Sequence, residues 1–211
     1  MMELIIFDLD GTIIDSAKDI CNALNHSLRG IRTGALTVKQ TTRLIGEGVH
    51  RLIEKVVPDE LSDHRGRVLS EFLSYYTDHL LDNTKLYPHV KETLQKLDRI
   101  RKAIVSNKRE TLSRKILEGL EISDLFDDIL GSDSVSEKKP SPMPILHLLE
   151  KYSLLSSQCL IIGDSKYDIL AGRSAGIVTV GVTYGYGDRS ALKEADHIID
   201  DIRELPPLMD R

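Results

Sequence analysis

Residues 4–12 have the sequence LIIFDLDGT, in which four apolar residues lead directly into Asp8 and Asp10. A continuous apolar run is typical of a strand buried on both faces, as in a parallel sheet that helices cover on both sides. Because residues i and i+2 of a strand point to the same side, the two carboxylates should face the same region. Like charges held this close repel each other unless a cation lies among them. The stretch therefore predicts a buried first strand that ends at a cation-binding site.

The rest of the chain alternates between apolar runs and segments in which apolar residues recur at helical spacing. The predicted strands are Leu4–Leu9, Lys102–Ser106, Ile129–Gly131, Cys159–Gly163, Ile177–Val182 and, as a short sixth, His197–Ile199. The predicted helices between them are Val90–Ile100, Thr111–Leu120, Ile145–Tyr152 and Tyr167–Ala175. This alternation over residues 85–200 favours an α/β fold built on a doubly wound parallel sheet.

Residues 16–84 interrupt the alternation, because their apolar residues form helical stripes and no convincing strand is present. Two helix starts carry capping-box patterns, Ser16 with Asp19 and Thr37 with Gln40. The sequence thus predicts an α/β core domain formed by residues 1–14 and 85–211. An all-helical domain, residues 15–84, is expected to be inserted after the first strand.

The composition excludes several classes of protein. The 211 residues carry a net charge of −5, without the basic balance of a nucleic-acid-binding protein. No apolar stretch approaches the ~20 residues that span a bilayer, and no signal peptide is visible. The two cysteines, Cys21 and Cys159, give no disulfide framework, which favours a reducing compartment. We therefore expect a cytoplasmic protein, monomeric or homodimeric, that binds neither nucleic acid nor membranes.

Four polar stretches follow the predicted strands. They are Asp8 with Asp10, Ser106 with Asn107, Lys139 before Pro140, and Asp164 with Ser165 and Asp168. In an open α/β sheet, ligands bind outside the carboxyl ends of the strands. We therefore expect all four stretches to meet at one edge of the sheet.

The residue types in these stretches indicate phosphoryl chemistry. Carboxylate oxygens without His or Cys select a hard cation such as Mg²⁺, which commonly binds one or two carboxylates and a phosphate oxygen. Lys139 and the Ser106 hydroxyl offer a cation and a donor to an anion beside that metal. Asp8 can attack phosphorus and form an aspartyl phosphate, while Asp10 can reach the leaving oxygen and transfer its proton. The expected partner is a small phosphorylated metabolite.

In this order and spacing, the four stretches resemble the motifs of the haloacid dehalogenase superfamily over nearly the whole chain. The resemblance implies a Rossmann-like core, with Asp8 as nucleophile and Asp10 as general acid/base. It also implies Mg²⁺ held by Asp8, the main-chain carbonyl of Asp10 and Asp164, with Asp168 as a supporting carboxylate of the metal site. The second acid favours phosphatases over dehalogenases. The helical insert corresponds to the family's cap, which closes over the site and excludes water.

Within the superfamily the chain is similar to the phosphoglycolate phosphatases. The supporting stretches are residues 45–48 (IGEG), 106–108 (SNK), 137–140 (EKKP) and 184–187 (YGYG). The residues expected to bind substrate are Thr12, Ser106, Asn107, Lys108, Gly46 and Arg51, with Arg43 as a further candidate cation. One departure is His89, which stands where relatives usually have glycine.

Several of these residues also suit structural roles. Ser106 could cap the helix that follows it. Gly46 and Gly48 either interrupt a helix or admit the close approach of a small substrate. Of the adjacent Lys138 and Lys139, one is expected to be a solvated charge, and Lys139 is preferred because it directly precedes the proline.

Other functions fit the same residues. A pyrophosphatase, a sugar-phosphate phosphatase or a phosphomutase could use the same scaffold. A phospho-acceptor signalling module is the alternative from another class, because response-regulator receivers also combine an aspartyl phosphate, a Ser or Thr and a Lys at a sheet edge. Receivers place the acceptor after the third strand, whereas Asp8 follows the first. A structural protein with a vestigial site is a third alternative, which the complete set of motif residues disfavours.

Overall fold

The computed structural model describes residues 2–31 and 34–208. Residues 1 and 209–211 of the predicted core domain, and residues 32–33 of the predicted insert, lie outside the described residues. The strands are β1 (Leu4–Phe7), β2 (Ile14–Asp15), β3 (Lys85–Leu86), β4 (Arg101–Val105), β5 (Asp128–Leu130), β6 (Cys159–Gly163), β7 (Val178–Val182) and β8 (His197–Ile199). The α-helices are α1 (Ala17–Ser27), α2 (Val38–Thr42), α3 (Val49–Val56), α4 (Arg65–Asp78), α5 (Val90–Lys96), α6 (Glu110–Gly119), α7 (Met143–Tyr152) and α8 (Lys166–Ala175).

Six strands of the described chain form one parallel sheet in the order β5-β4-β1-β6-β7-β8. The strand β1 lies between β4 and β6, and its side chains are buried on both faces. Leu4 and Ile6 join one apolar cluster, whereas Ile5 and Phe7 join another. This arrangement confirms the α/β fold with a doubly wound parallel sheet, and it explains why the first strand is a continuous apolar run.

The first strand is shorter than predicted, because it ends at Phe7 instead of Leu9. The carbonyl of Leu9 accepts hydrogen bonds from the N–H groups of Ile13 and Ile14, both at 3.0 Å. The chain turns at Gly11, whose φ of 90° favours glycine. Asp8 and Asp10 therefore lie on a turn at the end of the strand, where their side chains can find different partners.

The helix predicted to reach Ile100 ends at Lys96. The ammonium of Lys102 donates to the carbonyl of Leu97 at 2.7 Å and to that of Ile100 at 2.9 Å. Together with the bond from the N–H of Ile100 to the Leu97 carbonyl, at 3.2 Å, they hold the chain in a turn before β4.

The helical insert, residues 16–84, contains α1–α4 and no strand among its described residues. Where it joins the sheet, β2 and β3 pair antiparallel, with Ile14 opposite Leu86. The sequence did not reveal this ribbon, because strands of two residues show no periodicity. No helix in the described ranges is both long and apolar enough to cross a membrane.

Only one of the two predicted capping boxes forms. The N–H of Gln40 donates to Thr37 Oγ1 at 3.2 Å, and the N–H of Thr37 donates to Gln40 Oε1 at 2.9 Å. The box predicted at Ser16 was wrong, since the Ser16 hydroxyl donates to Asp10 and the carboxylate of Asp19 is used elsewhere. Hydrogen bonds from Ser16 to Asp10, and from residues 83–84 to Asp19, therefore replace the local capping box.

Hydrogen bonds accepted by Asp19 connect the start of the insert to its end. Its buried carboxylate accepts from the N–H of Asn83 at 2.9 Å, from Asn83 Nδ2 at 2.7 Å, and from the N–H and hydroxyl of Thr84 at 2.7 and 2.8 Å. A buried carboxylate is stable when hydrogen-bond donors compensate for its lost hydration. This one therefore fixes the point where the chain returns from the insert to the sheet.

We expect Asp19→Ala to lower the free energy of unfolding by about 3 kcal/mol, because it leaves buried donors of residues 83–84 without acceptors. Chemical denaturation measures the change. Asp59→Ala is the matched control, because the Asp59 carboxylate pairs with Arg65 but is 94% exposed, and its loss should cost less than about 0.5 kcal/mol. Equal effects of the two substitutions would contradict this account of Asp19.

Candidate active site

The strand register brings the predicted polar stretches to one end of the sheet. Phe7 of β1 is opposite Ile104 of β4 and Ile162 of β6. Asp8 therefore emerges one residue beyond this row, and Ser106 and Asp164 two residues beyond it. All three side chains are buried or nearly so. The carboxyl ends of three neighbouring strands thus define the site.

Lys139 joins this group from the loop after β5 and contacts two of the acids. Its Nζ donates to Asp168 Oδ1 at 2.6 Å and lies 2.9 Å from Asp8 Oδ1. The contact with Asp8 has the distance of an ion pair but not hydrogen-bond geometry, so Asp8 Oδ1 remains available to a further partner. Burial opposes the charge on Lys139, but Asp168 and Asp8 raise the pKa of Lys139 to about 12. The side chain is therefore an ammonium at neutral pH.

Asp164 lies beside Asp8 and is held by main-chain donors. Its Oδ2 accepts from the N–H groups of Tyr186 at 2.6 Å and Gly187 at 3.1 Å. Burial, followed by repulsion from Asp8 and Asp168, raises the pKa of Asp164 to about 8. Burial also raises the pKa of Asp8 to about 6, despite the opposing charge of Lys139. The protein thus holds two carboxyls whose negative charges are not fully compensated.

The acidic group fits a hard divalent cation. Asp8, Asp164 and Asp168 each offer a carboxylate oxygen, and these oxygens lie within 4.8 Å of one another. Both oxygens of Asp168 already accept hydrogen bonds, Oδ1 from Lys139 and Oδ2 from the N–H and hydroxyl of Ser165. Asp168 therefore suits a supporting role, whereas Asp8 and Asp164 retain oxygens that can bind a metal. An all-oxygen donor set of this kind is typical of Mg²⁺.

Asp10 has partners different from those of Asp8. Its Oδ1 accepts from Lys108 Nζ at 2.8 Å and from the Ser16 hydroxyl. Lys108 Nζ also donates to the Tyr76 hydroxyl at 2.6 Å and lies 4.7 Å from the centre of that ring. Burial opposes the charge on Lys108, but Asp10 and Tyr76 raise its pKa above the ordinary value. Asp10 is therefore held by one residue of the core and one at the start of the insert.

Two core side chains hold the loop of the insert that contains Gly46. Asn107 Nδ2 donates to the carbonyl of Gly46 at 2.8 Å and to that of Lys139 at 2.9 Å. Lys138 Nζ donates to the carbonyl of Glu47 at 2.6 Å. Gly48, at φ 83°, is so close to the core that a Cβ there would lie 2.8 Å from the carbonyl oxygen of Asn107. The insert therefore contacts the core directly above the acidic group.

A small cavity lies between the acids and the insert. Its core side contains Asp8, Asp10, Ser106, Asn107, Lys108, Arg109 and Leu112. Its insert side is mostly apolar and contains Ile20, Leu44, Ile45, Gly46, Gly48, Val49, Leu52, Phe72, Leu73 and Tyr76. The cavity thus has charged side chains on its core side and a largely apolar lining on its insert side.

Three residues predicted to bind substrate are not brought to this cavity. Thr12 is fully buried below the site, and its hydroxyl has no hydrogen-bond partner in the described chain. The Arg51 side chain is 58% exposed and pairs with Glu54 and Glu47 on the outer surface of the insert. Arg43 lines a separate open groove that also reaches Asp10 and Asp164. For Arg51, sequence spacing could not distinguish the inner and outer faces of the short helix α3.

Sequence reasoning missed three residues that the fold brings to the site. Arg109 lines the cavity, and its position directly after residues 106–108 was the only available signal. Tyr76 lies at helical spacing among the apolar residues of the insert, which gives no sign that its hydroxyl accepts from Lys108. Tyr186 was noted only as part of the YGYG stretch, although its main chain binds Asp164.

Comparisons with known proteins agree with this geometry. Residues 5–182 match the model of the haloacid dehalogenase-like hydrolase family. The chain is 42% identical over 191 residues to the phosphoglycolate phosphatase of Aquifex aeolicus, with 88% of this chain and 86% of the relative covered. It is 36% identical over 202 residues to that of Neisseria gonorrhoeae, with 92% and 86% covered. A crystal structure of a predicted phosphoglycolate phosphatase from Haemophilus somnus superposes with a TM-score of 0.92 at 33% identity, covering 99% of this chain and 98% of that one. The chain therefore belongs to the haloacid dehalogenase-like hydrolase family.

Proposed function

We propose that this protein is a Mg²⁺-dependent phosphomonoester hydrolase that acts through an aspartyl phosphate, with phosphoglycolate as its substrate. The observation that carries the proposal is the group formed by Asp8, Asp164 and Lys139 at the end of β1, beneath a largely apolar roof. The phosphoglycolate phosphatases to which the chain is similar support the choice of substrate.

In the proposed reaction, Asp8 is the nucleophile. One of its carboxylate oxygens bonds to phosphorus as the bond from phosphorus to the substrate alcohol breaks. Asp10 gives a proton to the departing alkoxide and later accepts one from the water that hydrolyses the aspartyl phosphate. Lys139 and the Ser106 hydroxyl bind the phosphoryl oxygens and stabilise their developing charge. The different partners of Asp8 and Asp10 support these different roles.

Asp8, Asp164 and the main-chain carbonyl of Asp10 are the proposed ligands of Mg²⁺, which supplies Lewis-acid charge neutralisation at the phosphoryl group when bound. Asp168 orients Lys139 and is not a direct ligand in this proposal, because both of its oxygens accept hydrogen bonds from the protein. Ser165 in turn fixes Asp168, so that the ammonium has a defined position.

The helical domain, residues 15–84, is proposed to act as a cap over the core formed by residues 1–14 and 85–211. The hydrogen bonds from Asn107 and Lys138 to the loop at residues 46–47 support a closed position. The paired strands β2 and β3 connect the two parts. Opening would therefore break these hydrogen bonds and the one from Lys108 to Tyr76, which suits the passage of a small substrate and the exclusion of water during the reaction.

The second anionic group of phosphoglycolate needs a cation or N–H donors within the cavity. Lys108 and Arg109 are the cationic side chains that line it in the described chain, and both come from the core. We propose that they bind the carboxylate, in place of Arg51, which points to solvent.

A cytoplasmic location, and a monomeric or homodimeric state, stay predictions.

A purified-protein screen with Mg²⁺ tests the function directly. We expect phosphoglycolate to be the best substrate among phosphoglycolate, pyrophosphate, sugar phosphates and nucleotides.

Asp8→Asn should reduce turnover by more than about 10³-fold with the fold intact, because an amide cannot attack phosphorus. Asp59→Asn is the matched control for the same change of side chain at an exposed site, and it should be fully active. An active Asp8→Asn protein would remove the nucleophile assignment, and a stable aspartyl phosphate without turnover would favour the signalling alternative.

The adjacent lysines give a second comparison. Lys139→Met should reduce kcat by roughly 10²- to 10³-fold, because it removes the ammonium between Asp8 and Asp168. Lys138→Met removes only the contact with the Glu47 carbonyl and should cost at most about tenfold, mainly in KM. Steady-state kinetics with a thermal-unfolding check on both variants measures this difference. Similar losses for the two would show that Lys139 has no special role.

Metal binding should change how stability depends on pH. A carboxyl whose pKa is raised on folding binds more protons in the folded state, so stability falls as pH rises from the unfolded value toward the folded one. For Asp8 and Asp164 this window runs from 3.8 to about 6 and about 8. The metal-free protein should therefore have a lower Tm at about pH 8 than at about pH 5, and Mg²⁺ should raise Tm more at the higher pH.

Asp164→Asn is the control for this measurement, because it removes the most strongly shifted carboxyl. The variant should show a smaller fall in Tm with pH and little response to Mg²⁺. A Tm of the wild-type protein that responds equally to Mg²⁺ at both pH values would contradict the proposed site.

A further inference from the structure

The loop of residues 183–188, which follows β7, packs closely against Asp164 of the acidic site. A Cβ at Gly185 would lie 2.3 Å from Cβ of Asp164, and one at Gly187 would lie 1.9 Å from the Asp164 carbonyl oxygen. Only glycine fits at such distances without moving the main chain. The residue between them, Tyr186, donates its N–H to Asp164 Oδ2 at 2.6 Å. The main chain of Tyr186 is thus fixed at the proposed metal site.

The side chain of the same residue reaches the start of the helical insert. The Tyr186 hydroxyl accepts from the N–H of Ser16 at 2.7 Å and from that of Ala17 at 3.0 Å, and it donates to Asp15 Oδ1 at 2.9 Å. These N–H groups belong to the first turn of α1, where helices lack internal acceptors. Burial raises the pKa of Tyr186 above its ordinary value, so the phenol keeps the proton that it donates.

The Ser16 side chain contacts the proposed proton donor. It does not cap α1, and its hydroxyl donates to Asp10 Oδ1 instead. A continuous set of hydrogen bonds therefore runs from Asp164 through Tyr186 and Ser16 to Asp10. It joins the proposed metal ligand to the proposed proton donor, and its bond between Ser16 and Tyr186 links residues that are 170 positions apart in the sequence.

We propose that Tyr186 is a positioning residue, whose phenol oxygen holds Ser16 so that Ser16 aims the Asp10 carboxyl at the leaving oxygen of the substrate. The inference rests on the proposed function, because it assigns Tyr186 to the proton-transfer step of that reaction. Asp164 is bound by the main chain of Tyr186, so loss of the phenol oxygen alone leaves this contact in place.

Two substrates with different leaving groups distinguish this role from general support of the fold. An alkoxide such as that of phosphoglycolate needs a proton as it departs, whereas p-nitrophenolate departs as a stable anion. The ratio kcat/KM reports the steps up to release of the leaving group and excludes hydrolysis of the aspartyl phosphate. A misplaced Asp10 carboxyl should therefore lower kcat/KM for phosphoglycolate and leave kcat/KM for p-nitrophenyl phosphate nearly unchanged.

Tyr186→Phe removes only the oxygen. We expect kcat/KM for phosphoglycolate to fall by roughly 10- to 100-fold, and that for p-nitrophenyl phosphate by less than about threefold. The Mg²⁺ concentration for half-maximal activity should stay unchanged. Ser16→Ala should show the same preference, and the double variant should lose no more than the more impaired single variant, because both act through Asp10.

Tyr184→Phe is the matched control on the same loop. Its hydroxyl donates to the carbonyl of Thr12 at 3.1 Å and takes no part in the connection to Asp10, so the ratio between the two substrates should not change. Equal losses for both substrates in Tyr186→Phe, or no loss for either, would overturn the inference. If the wild-type protein hydrolyses neither ester, the proposed function itself fails. If it hydrolyses only p-nitrophenyl phosphate, the substrate assignment fails and the best alkyl phosphate of the screen replaces phosphoglycolate in the same comparison.

Discussion

The ion pairs of Lys139 are the interaction on which the rest of the site depends. The parallel register of β1 between β4 and β6 forces Asp8 and Asp164 to leave the sheet side by side, and Asp168 of α8 lies next to them. One buried ammonium cannot balance three buried carboxylates. Burial, together with repulsion among the carboxylates, raises the pKa of Asp8 and Asp164. This excess of negative charge is the physical basis for expecting a divalent cation and a phosphoryl group.

Two aspartates separated by a single residue acquire different chemistry from their surroundings. The turn after Phe7 directs Asp8 toward Lys139 and Asp10 toward Lys108 and Ser16. The proposed nucleophile and the proposed proton donor are thereby held by different partners. Such division of roles between identical side chains is a common way for a site to hold both a nucleophile and an acid.

The helical insert is attached to the core at its base, at one loop, and through the Tyr76 hydroxyl of α4, which accepts from Lys108. At the base, β2 pairs with β3, and Asp19 binds residues 83–84 at the point where the chain returns to the sheet. At the loop, Asn107 and Lys138 hold two consecutive carbonyls directly above the acids. The first attachment is buried and extensive, whereas the second consists of single hydrogen bonds. The base is therefore the stronger of these two attachments.

The sequence by itself determined the sheet, the helical insert and the convergence of Asp8, Ser106, Lys139 and Asp164, because apolar periodicity and strand order fix which chain segments end at one edge. It did not determine the small ribbon of β2 and β3, the partners of Ser16 and Asp19, or the exposed position of Arg51. Only the tertiary structure decided these features, as well as the contacts of Tyr76, Arg109 and Tyr186 with the site. The local sequence around a side chain is compatible with several hydrogen-bond partners of similar energy. The packing of distant segments selects among them.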